Sequence, residues 1–491
     1  MAGLLAPFSC LLNRLSSSDD GSAGFTCSRA VPKGAPLLAL PLSACWTASA
    51  ARRCSQLEIL VTAGSLSTGA APDLLEADAT WLALHLLFQR HLGSQADPVF
   101  RAHLALLPAP GSLETLLAWS DEELGALQGS RWQQIAQQCN ADIEAEFEEL
   151  RASLGEEVLG QLGATSDSYF WAQQVLQQCC ISFIDGESSP VDVLVPGMNL
   201  LVGRESDVPP SPEGARLEFL PGPDASPVVV LYASRDFGEG EQVGISHGGL
   251  TCTSGRRLMG CGRLLTPNPW DCVELGMTLP LSAALAPSAA KLAEACSAST
   301  CPRPGDFLAA DVLEGWEPAQ LLEGEPQPVL QVNLRISEAQ LLPSSSLLNL
   351  LQLALAGPDG CAASEQKVSD VLQHCLRQAL QKYPAEAASP AEPQAPMTRH
   401  ARAIRLVSDE RRLLQMASEA LKKGFGASPA PPEVSAPEAV RRLAGCAQEL
   451  ERLSASFDSL RNDGNLETSA GVALLSELAV LRACLASFPD G

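Results

Sequence analysis

The chain has 491 residues, 46% of them hydrophobic and 18% charged, with a formal net charge of −24. That length exceeds a single hydrophobic core and predicts about two or three domains, while the apolar content argues against a disordered chain. The acidic balance repels phosphate backbones and anionic lipid, so nucleic acid and membrane surfaces are set aside as partners and basic protein surfaces are favoured.

Sixteen cysteines run from Cys10 to Cys484 without a C-x-x-C pair, which speaks against a zinc ribbon or finger; no metal site is expected. The opening MAGLLAPFSCLLNRL has an apolar face but no charged stretch before it, so reduced cysteines and a cytoplasmic or nuclear protein are expected. No run of about 18 apolar residues is present, and no transmembrane helix is expected.

In chain order, FTCSRAVPKGAPLLALPLSACW (Phe25 to Trp46) reads as two strands of a hairpin or meander around the Pro32-Lys33-Gly34 turn. From Asp73 to Leu92 the residues Leu75, Trp81, Leu82, Leu84, Leu87 and Phe88 recur at helical spacing. Further helices are predicted over Asp121 to Gln128, Gln133 to Leu150 and Ser166 to Phe183. Strands return in PVDVLVP and in PVVVLYAS (227 to 234), followed by the DFGEGEQV turn. Beyond Pro280 the pattern is almost wholly helical, punctuated by Ala/Pro-rich linkers at 384 to 396 and 426 to 437. At the end, Val440, Leu443, Leu450 and Phe457 line one helix and Leu474, Leu478, Leu481 and Leu485 a second, with RNDGN between them, which predicts a helical hairpin.

Several phrases in this order resemble the SET-domain protein methyltransferases of the Rubisco large-subunit and actin-histidine methyltransferase type. They are FTCSRAVPKGAPLLALPLSACWT, WLALHLLFQRHLG, FRAHLALLP, WSDEELGALQGS, SYFWAQQVLQQC, ASRDFGEGEQVGISHG and NPWDCVEL, then VLQVNLRIS, KVSDVLQHCLRQALQKY and ARAIRLVSDERRLL. Coverage runs from about residue 20 to 424. The resemblance implies an α+β chain, a SET-type β fold with a helical insertion followed by a mostly α-helical C-terminal domain. The expected boundaries are 1–20 for an N-terminal segment, 21–275 for the SET domain with its insertion at about 63–190, and 276–424 for a substrate-binding-like helical domain. A linker at 425–437 and the hairpin at 438–491 complete the chain. It further implies S-adenosylmethionine as cofactor and a lysine or histidine on another protein as substrate.

Methyl transfer requires sulfonium, methyl carbon and a deprotonated nitrogen in line, so such a site works mostly by positioning. The family's functional positions fall here on residues of altered chemistry. The opening glycine pair is reduced to Ser22-Ala23-Gly24, leaving Gly24 to face the cofactor. The arginine after the Trp-Ala helix is Cys179, and the Asp-x-x-Asn-His motif falls on LVPGMNLLVG, with Asn199, Val202 and Gly203 at its side-chain positions. The tyrosine of the last strand is His247, and a second tyrosine before Gly-Phe becomes Cys261-Gly262-Arg263. A degenerate cofactor site on a retained scaffold is expected. The alternative is a rebuilt enzyme in which His247 takes the proton of the incoming amine.

Other residues have two readings each. Cys179-Cys180 is either a redox or metal pair or core packing, with packing expected, and Asp236, Glu239 and Glu241 are either acid-base carboxylates or a solvated hairpin tip. The basic set Arg399, His400, Arg402, Arg405, Arg411, Arg412, Lys422 and Lys423 is expected to be a solvated surface rather than a nucleic-acid face. Trp119 ahead of SDEEL is expected to be a staple over a helix cap.

Overall fold

A computed structural model describes residues 15–17, 25–69, 73–183, 191–197, 215–221, 227–244, 253–264, 268, 271–280, 307–308, 319–322, 328–355, 363–384 and 397–425. The chain divides into two compact units, Met1–Phe425 and Gly426–Gly491. All described residues belong to the first, so the expected hairpin at 438–491 and the linker at 426–437 lie outside them, as do residues 385–396.

The first strands are β1 (Leu15–Ser17), β2 (Phe25–Cys27), β3 (Pro36–Pro41) and β4 (Trp46–Thr47). Helices α1 (Ala48–Arg52), α2 (Ser55–Thr68), α3 (Asp78–Leu92), α4 (Pro98–Leu104), α5 (Asp121–Gly125), α6 (Arg131–Leu154), α7 (Glu156–Leu162) and α8 (Ser166–Cys179) follow. Strands resume with β5 (Cys180–Phe183), β6 (Val191–Leu194), β7 (Ala215–Pro221), β8 (Pro227–Ala233) and β9 (Gln242–Val243). The described chain continues through α9 (Ser254–Cys261), β10 (Cys272–Pro280), β11 (Phe307–Leu308), β12 (Ala319–Leu322) and β13 (Val329–Ser337) to α10 (Ser345–Ala354), α11 (Glu365–Lys382) and α12 (Arg399–Lys423). Four small antiparallel sheets result, in the orders β1-β2-β9, β3-β8-β7, β11-β5-β6-β4 and β10-β13-β12. The α+β class follows from this alternation of small sheets and helices.

Three local expectations are corrected. Strands β2 and β3 do not form a hairpin with each other, because β2 pairs with β1 and β9 whereas β3 pairs with β8. Both strands bury a face in the same apolar cluster, and long-range pairing that covers that face outweighs local closure. The helix expected through Phe183 ends at Cys179, since Cys180 turns extended at φ −78° and ψ 146° and residues 180–183 join β6. Beyond Pro280 the chain is not wholly helical: β12 and β13 complete a sheet with β10 before α10 begins.

Three apolar clusters hold the described chain together. One gathers Phe25, Leu38, Leu40, Val229, Leu231 and Phe237 around β2, β3 and β8. A second centres on α3, where the ten residues from Thr80 to Gln89 are all buried. Such a helix is apolar nearly all round and sits inside the protein rather than on it. The third joins α6, α9, β13, α11 and α12 through Trp132, Leu258, Val332, Leu334, Leu372 and Leu414. At its edge Glu274 of β10 is hydrogen-bonded to Arg131, to Arg335 at 3.2 Å and to Arg256 at 3.5 Å.

Trp119 is buried, and its indole N–H donates to the Glu114 carbonyl at 3.1 Å. Behind it, Ser120 and Glu123 form a reciprocal cap on α5, with each side chain bonding the other's backbone N–H. Ser120→Ala is expected to cost about 1 kcal/mol, read as a fall in the denaturation midpoint. An unchanged midpoint would show that Trp119 alone fixes the helix start.

Candidate functional site

The flanks of three of the sequence-identified positions, Gly24, Asn199 and His247, meet at Phe25. This residue opens β2, and the candidate Gly24 immediately precedes it. Its backbone faces Val243 of β9, four residues ahead of His247. Its ring lies against Gly197, two residues ahead of Asn199: a Cβ on Gly197 would sit 3.1 Å from Phe25 Cε2. Gly197 also adopts φ +80°, so glycine is demanded there by both backbone conformation and space. Gly24, Asn199, Val202, Gly203 and His247 themselves lie outside the described residues.

The strand leading into the Asn199 stretch is anchored on both sides. Leu194 of β6 lies between Trp46 of β4 and Cys180 of β5. Trp46 is fully buried, its indole N–H donates to His103 Nδ1 at 2.5 Å, and the rings of His85 and Phe100 lie 5.0 and 4.4 Å away. Burial lowers the His103 pKa to about 3 and the His85 pKa to about 4, so both imidazoles are neutral at ordinary pH. Sequence reasoning missed this aromatic box. Its only signals were three helix-borne aromatic and histidine residues within apolar runs, a pattern shared with ordinary core.

Cys179 ends α8 in the second apolar cluster, 3% exposed, and burial pushes its thiol up to about 12. Cys180 is raised well above its ordinary value, again chiefly by burial. Both are free thiols in protonated form, which is core packing rather than redox chemistry.

The DFGEGEQ turn is tied to the β2 side by backbone bonds from Cys27 N–H to the Glu241 carbonyl and from Gly240 N–H to the Cys27 carbonyl, each 2.8 Å. Asp236 accepts from the Lys33 N–H at 2.7 Å, and Glu241 accepts from the Gly238 N–H and pairs with Arg235 at 2.5 Å. The hydrogen bond from Arg235 is the main reason that Glu241 has a lowered pKa. These carboxylates shape a surface turn.

The 261–263 segment is held from the far end of the chain. Gly262, at φ +70°, packs so closely on Glu114 that a Cβ would lie 2.2 Å from its carbonyl oxygen. The Gly262 carbonyl accepts from Arg402 Nη1 at 2.9 Å, and the Cys261 thiol donates to the Arg257 carbonyl at 3.1 Å. Arg402 also reaches Glu114, while Arg399 donates to the carbonyls of Leu113 and Ala118 and to Glu123. The expectation of a uniformly solvated basic face therefore fails for these two. Arg399 satisfies two carbonyls of the 113–118 segment, and Arg402 links the Gly262 carbonyl to the Glu114 carboxylate. His400, between them in sequence, is exposed.

Among the described residues, no group of three or more His, Cys, Asp or Glu could hold a metal ion, and no helix is long and apolar enough to cross a membrane. No protein-family model and no curated protein sequence matches the chain. Solved structures do. The SET domain of LSMT bound to lysine and AdoHcy is similar at 16% identity with a TM-score of 0.62, over 87% of this chain and 91% of that one. Rubisco LSMT bound to AdoMet gives 16% and 0.60 over the same shares, and Rubisco LSMT bound to sinefungin and monomethyllysine gives 16% and 0.59. With its small antiparallel sheets, the helices between them and the C-terminal helices, the chain has the SET-domain methyltransferase fold of the Rubisco LSMT type.

Proposed function

We propose that the chain is a diverged SET-domain protein that binds a protein partner, with S-adenosylmethionine binding and N-methyl transfer weak or lost. It is then a protein-binding pseudoenzyme, or a very weak enzyme, on the scaffold of protein lysine or histidine methyltransferases. The observation that carries this reading is Cys179. Where the resemblance calls for an arginine to hold the cofactor's charged end, the chain has a buried, protonated thiol in an apolar cluster. A thiol is a weak, uncharged donor and does not fit that role. The replacements at Val202 and Gly203 point the same way. Gly24 and Asn199 are the positions that retain some capacity to face a cofactor, and in the alternative of a rebuilt enzyme His247 takes the proton. The solved neighbours bind lysine and monomethyllysine, and a net charge of −24 favours a basic partner surface. In this reading residues 21–275 and 276–424 serve as scaffold and partner-binding domain, and 438–491 form a separate helical hairpin.

The test is calorimetric titration of the full chain with S-adenosylmethionine. Several missing polar contacts at about 1–3 kcal/mol each amount to an affinity deficit beyond roughly a hundredfold against an intact site. No heat of binding is expected at tens of micromolar cofactor, on the order of a typical intact affinity, and no rise in Tm on its addition. The paired substitution Val202→Asn and Gly203→His is expected to recover part of the binding. Tight binding by the unmodified chain, with methyl transfer that disappears in His247→Ala, would instead make this a rebuilt enzyme.

A further inference from the structure

The carboxyl of Glu410, in the middle of α12, is 4% exposed and faces the start of α6. Its Oε2 accepts from the Tyr383 hydroxyl at 3.0 Å, and Tyr383 is the residue that ends α11. It is also hydrogen-bonded to the Ser130 hydroxyl. Ser130 caps α6, its Oγ accepting from the Trp132 N–H at 3.3 Å. One buried carboxyl therefore joins three helices at points where each begins, ends or crosses another.

The charged groups around it do not neutralise it. Arg131, next to Ser130, lies near enough to favour ionisation, but its guanidinium is bonded to Glu274 of β10. Glu274 in turn engages Arg335 of β13 and Arg256 of α9. From the segment ahead of β10, Asp271 adds a second, half-buried carboxyl, which accepts from Ser254 and Asn268. On α12 itself Asp409 is paired with Arg405 at 2.7 Å. From α5, Glu123 is taken by Arg399. Among the described residues, Glu410 is thus a carboxyl in the interior with two neutral hydroxyl partners, a second carboxyl nearby and no arginine paired to it.

We propose that the Glu410–Tyr383–Ser130 junction is a proton-dependent latch. With a proton on Glu410 the α11–α12 pair is seated against the start of α6, and loss of that proton loosens the seat. Burial supports this direction, raising the Glu410 pKa to about 7 and outweighing the hydrogen bonds from Ser130 and Tyr383. A carboxyl whose pKa is raised on folding stabilises the native state below its unfolded value and loses that contribution as pH rises through its folded value. The window is therefore about pH 4.5 to 7, and the latch is open above it.

The experiment compares the full chain with Glu410→Gln by urea denaturation from pH 5 to pH 8. The amide is a permanent imitation of the protonated acid. The ratio of the wild-type to the Glu410→Gln folding constant is expected to fall roughly 50- to 100-fold across that range, with every other titrating group cancelling between the two proteins. Hydrogen exchange in residues 399–425, corrected for its intrinsic pH dependence, is expected to quicken at pH 8 in wild type and not in the variant. A ratio constant with pH would overturn the proposal, because it would mean that Glu410 is ionised throughout and held by Arg131. Should Glu410→Gln fail to fold, Tyr383→Phe decides. It removes a donor to the ionised form, so the pH at which exchange quickens must move up, and an unmoved profile rejects the latch.

Discussion

Replacing Glu274 by alanine is expected to destabilise the protein by about 3–5 kcal/mol, enough to unfold a chain of ordinary stability at modest urea. The side chain is 6% exposed and receives Arg131, Arg256 and Arg335, so its loss removes a shared carboxylate from three guanidinium groups at once. Their costs are unequal. Arg256 is 5% exposed and cannot turn to solvent, whereas Arg131, at 38%, regains water and is screened. Most of the penalty therefore lies with Arg256, followed by Arg335 at 16%. Arg131→Ala is expected to cost under about 1 kcal/mol on the same ground. Urea midpoints of the two variants check both statements. Similar losses for Glu274→Ala and Arg131→Ala would mean that the cluster is wetter than its burial implies.

Glu274 also shows what a one-dimensional reading misses. Its segment, NPWDCVEL, was marked only by the resemblance, and the three arginines come from α6, α9 and β13, with nothing local in the sequence to mark them as partners. The same holds for β2 and β3, which read as strands from their apolar runs while their partners β9 and β8 lie about two hundred residues away. Elements carried by strong periodicity were legible: α3 from its Trp81 to Phe88 run, β8 from PVVVLYA, and the cap on α5 from S-x-x-E. The end of α8 was not, because CISF continues an apolar pattern that suits either a helix or a buried strand, and only pairing with β6 decides.

The candidate site divides along the same line. The reading of Cys179 and of the LVPGMNLLVG stretch as altered chemistry rests on the resemblance and on residue type. That the flanks of Gly24, Asn199 and His247 meet at one phenylalanine depends on the β2–β9 register and on the contact between Phe25 and Gly197. Arg399 and Arg402 were misread because helix charge patterning assumes that an arginine on a polar face meets water, whereas Arg399 meets the carbonyls of Leu113 and Ala118 and Arg402 that of Gly262.

The second large effect is expected in acid, at His103. Its folded pKa, near 3, lies below the unfolded value near 6.5, so the unfolded chain takes up a proton first as pH falls. The contribution of the neutral imidazole is complete above pH 6.5 and is lost downward through the folded pKa, at about 1.4 kcal/mol per pH unit. His85 acts in the same sense down to about pH 4, while the raised carboxyls of Asp271 and Glu410 oppose it. The full chain should therefore show a shallow acid slope that conceals these terms. The variant His103→Leu exposes one of them. At pH 7 it should be less stable than wild type by about 1–3 kcal/mol, since the buried Trp46 N–H loses its acceptor. Lowering the pH to 5 removes about 2 kcal/mol from wild type that the variant does not lose, because leucine cannot titrate. The two stability curves should cross near pH 5, with the variant the more stable protein below it. Parallel curves from pH 7 to 4.5 would show that His103 is charged in the folded state. Trp46 could then no longer donate to Nδ1, and the anchor assigned to β4 and β6 would have to be a different contact.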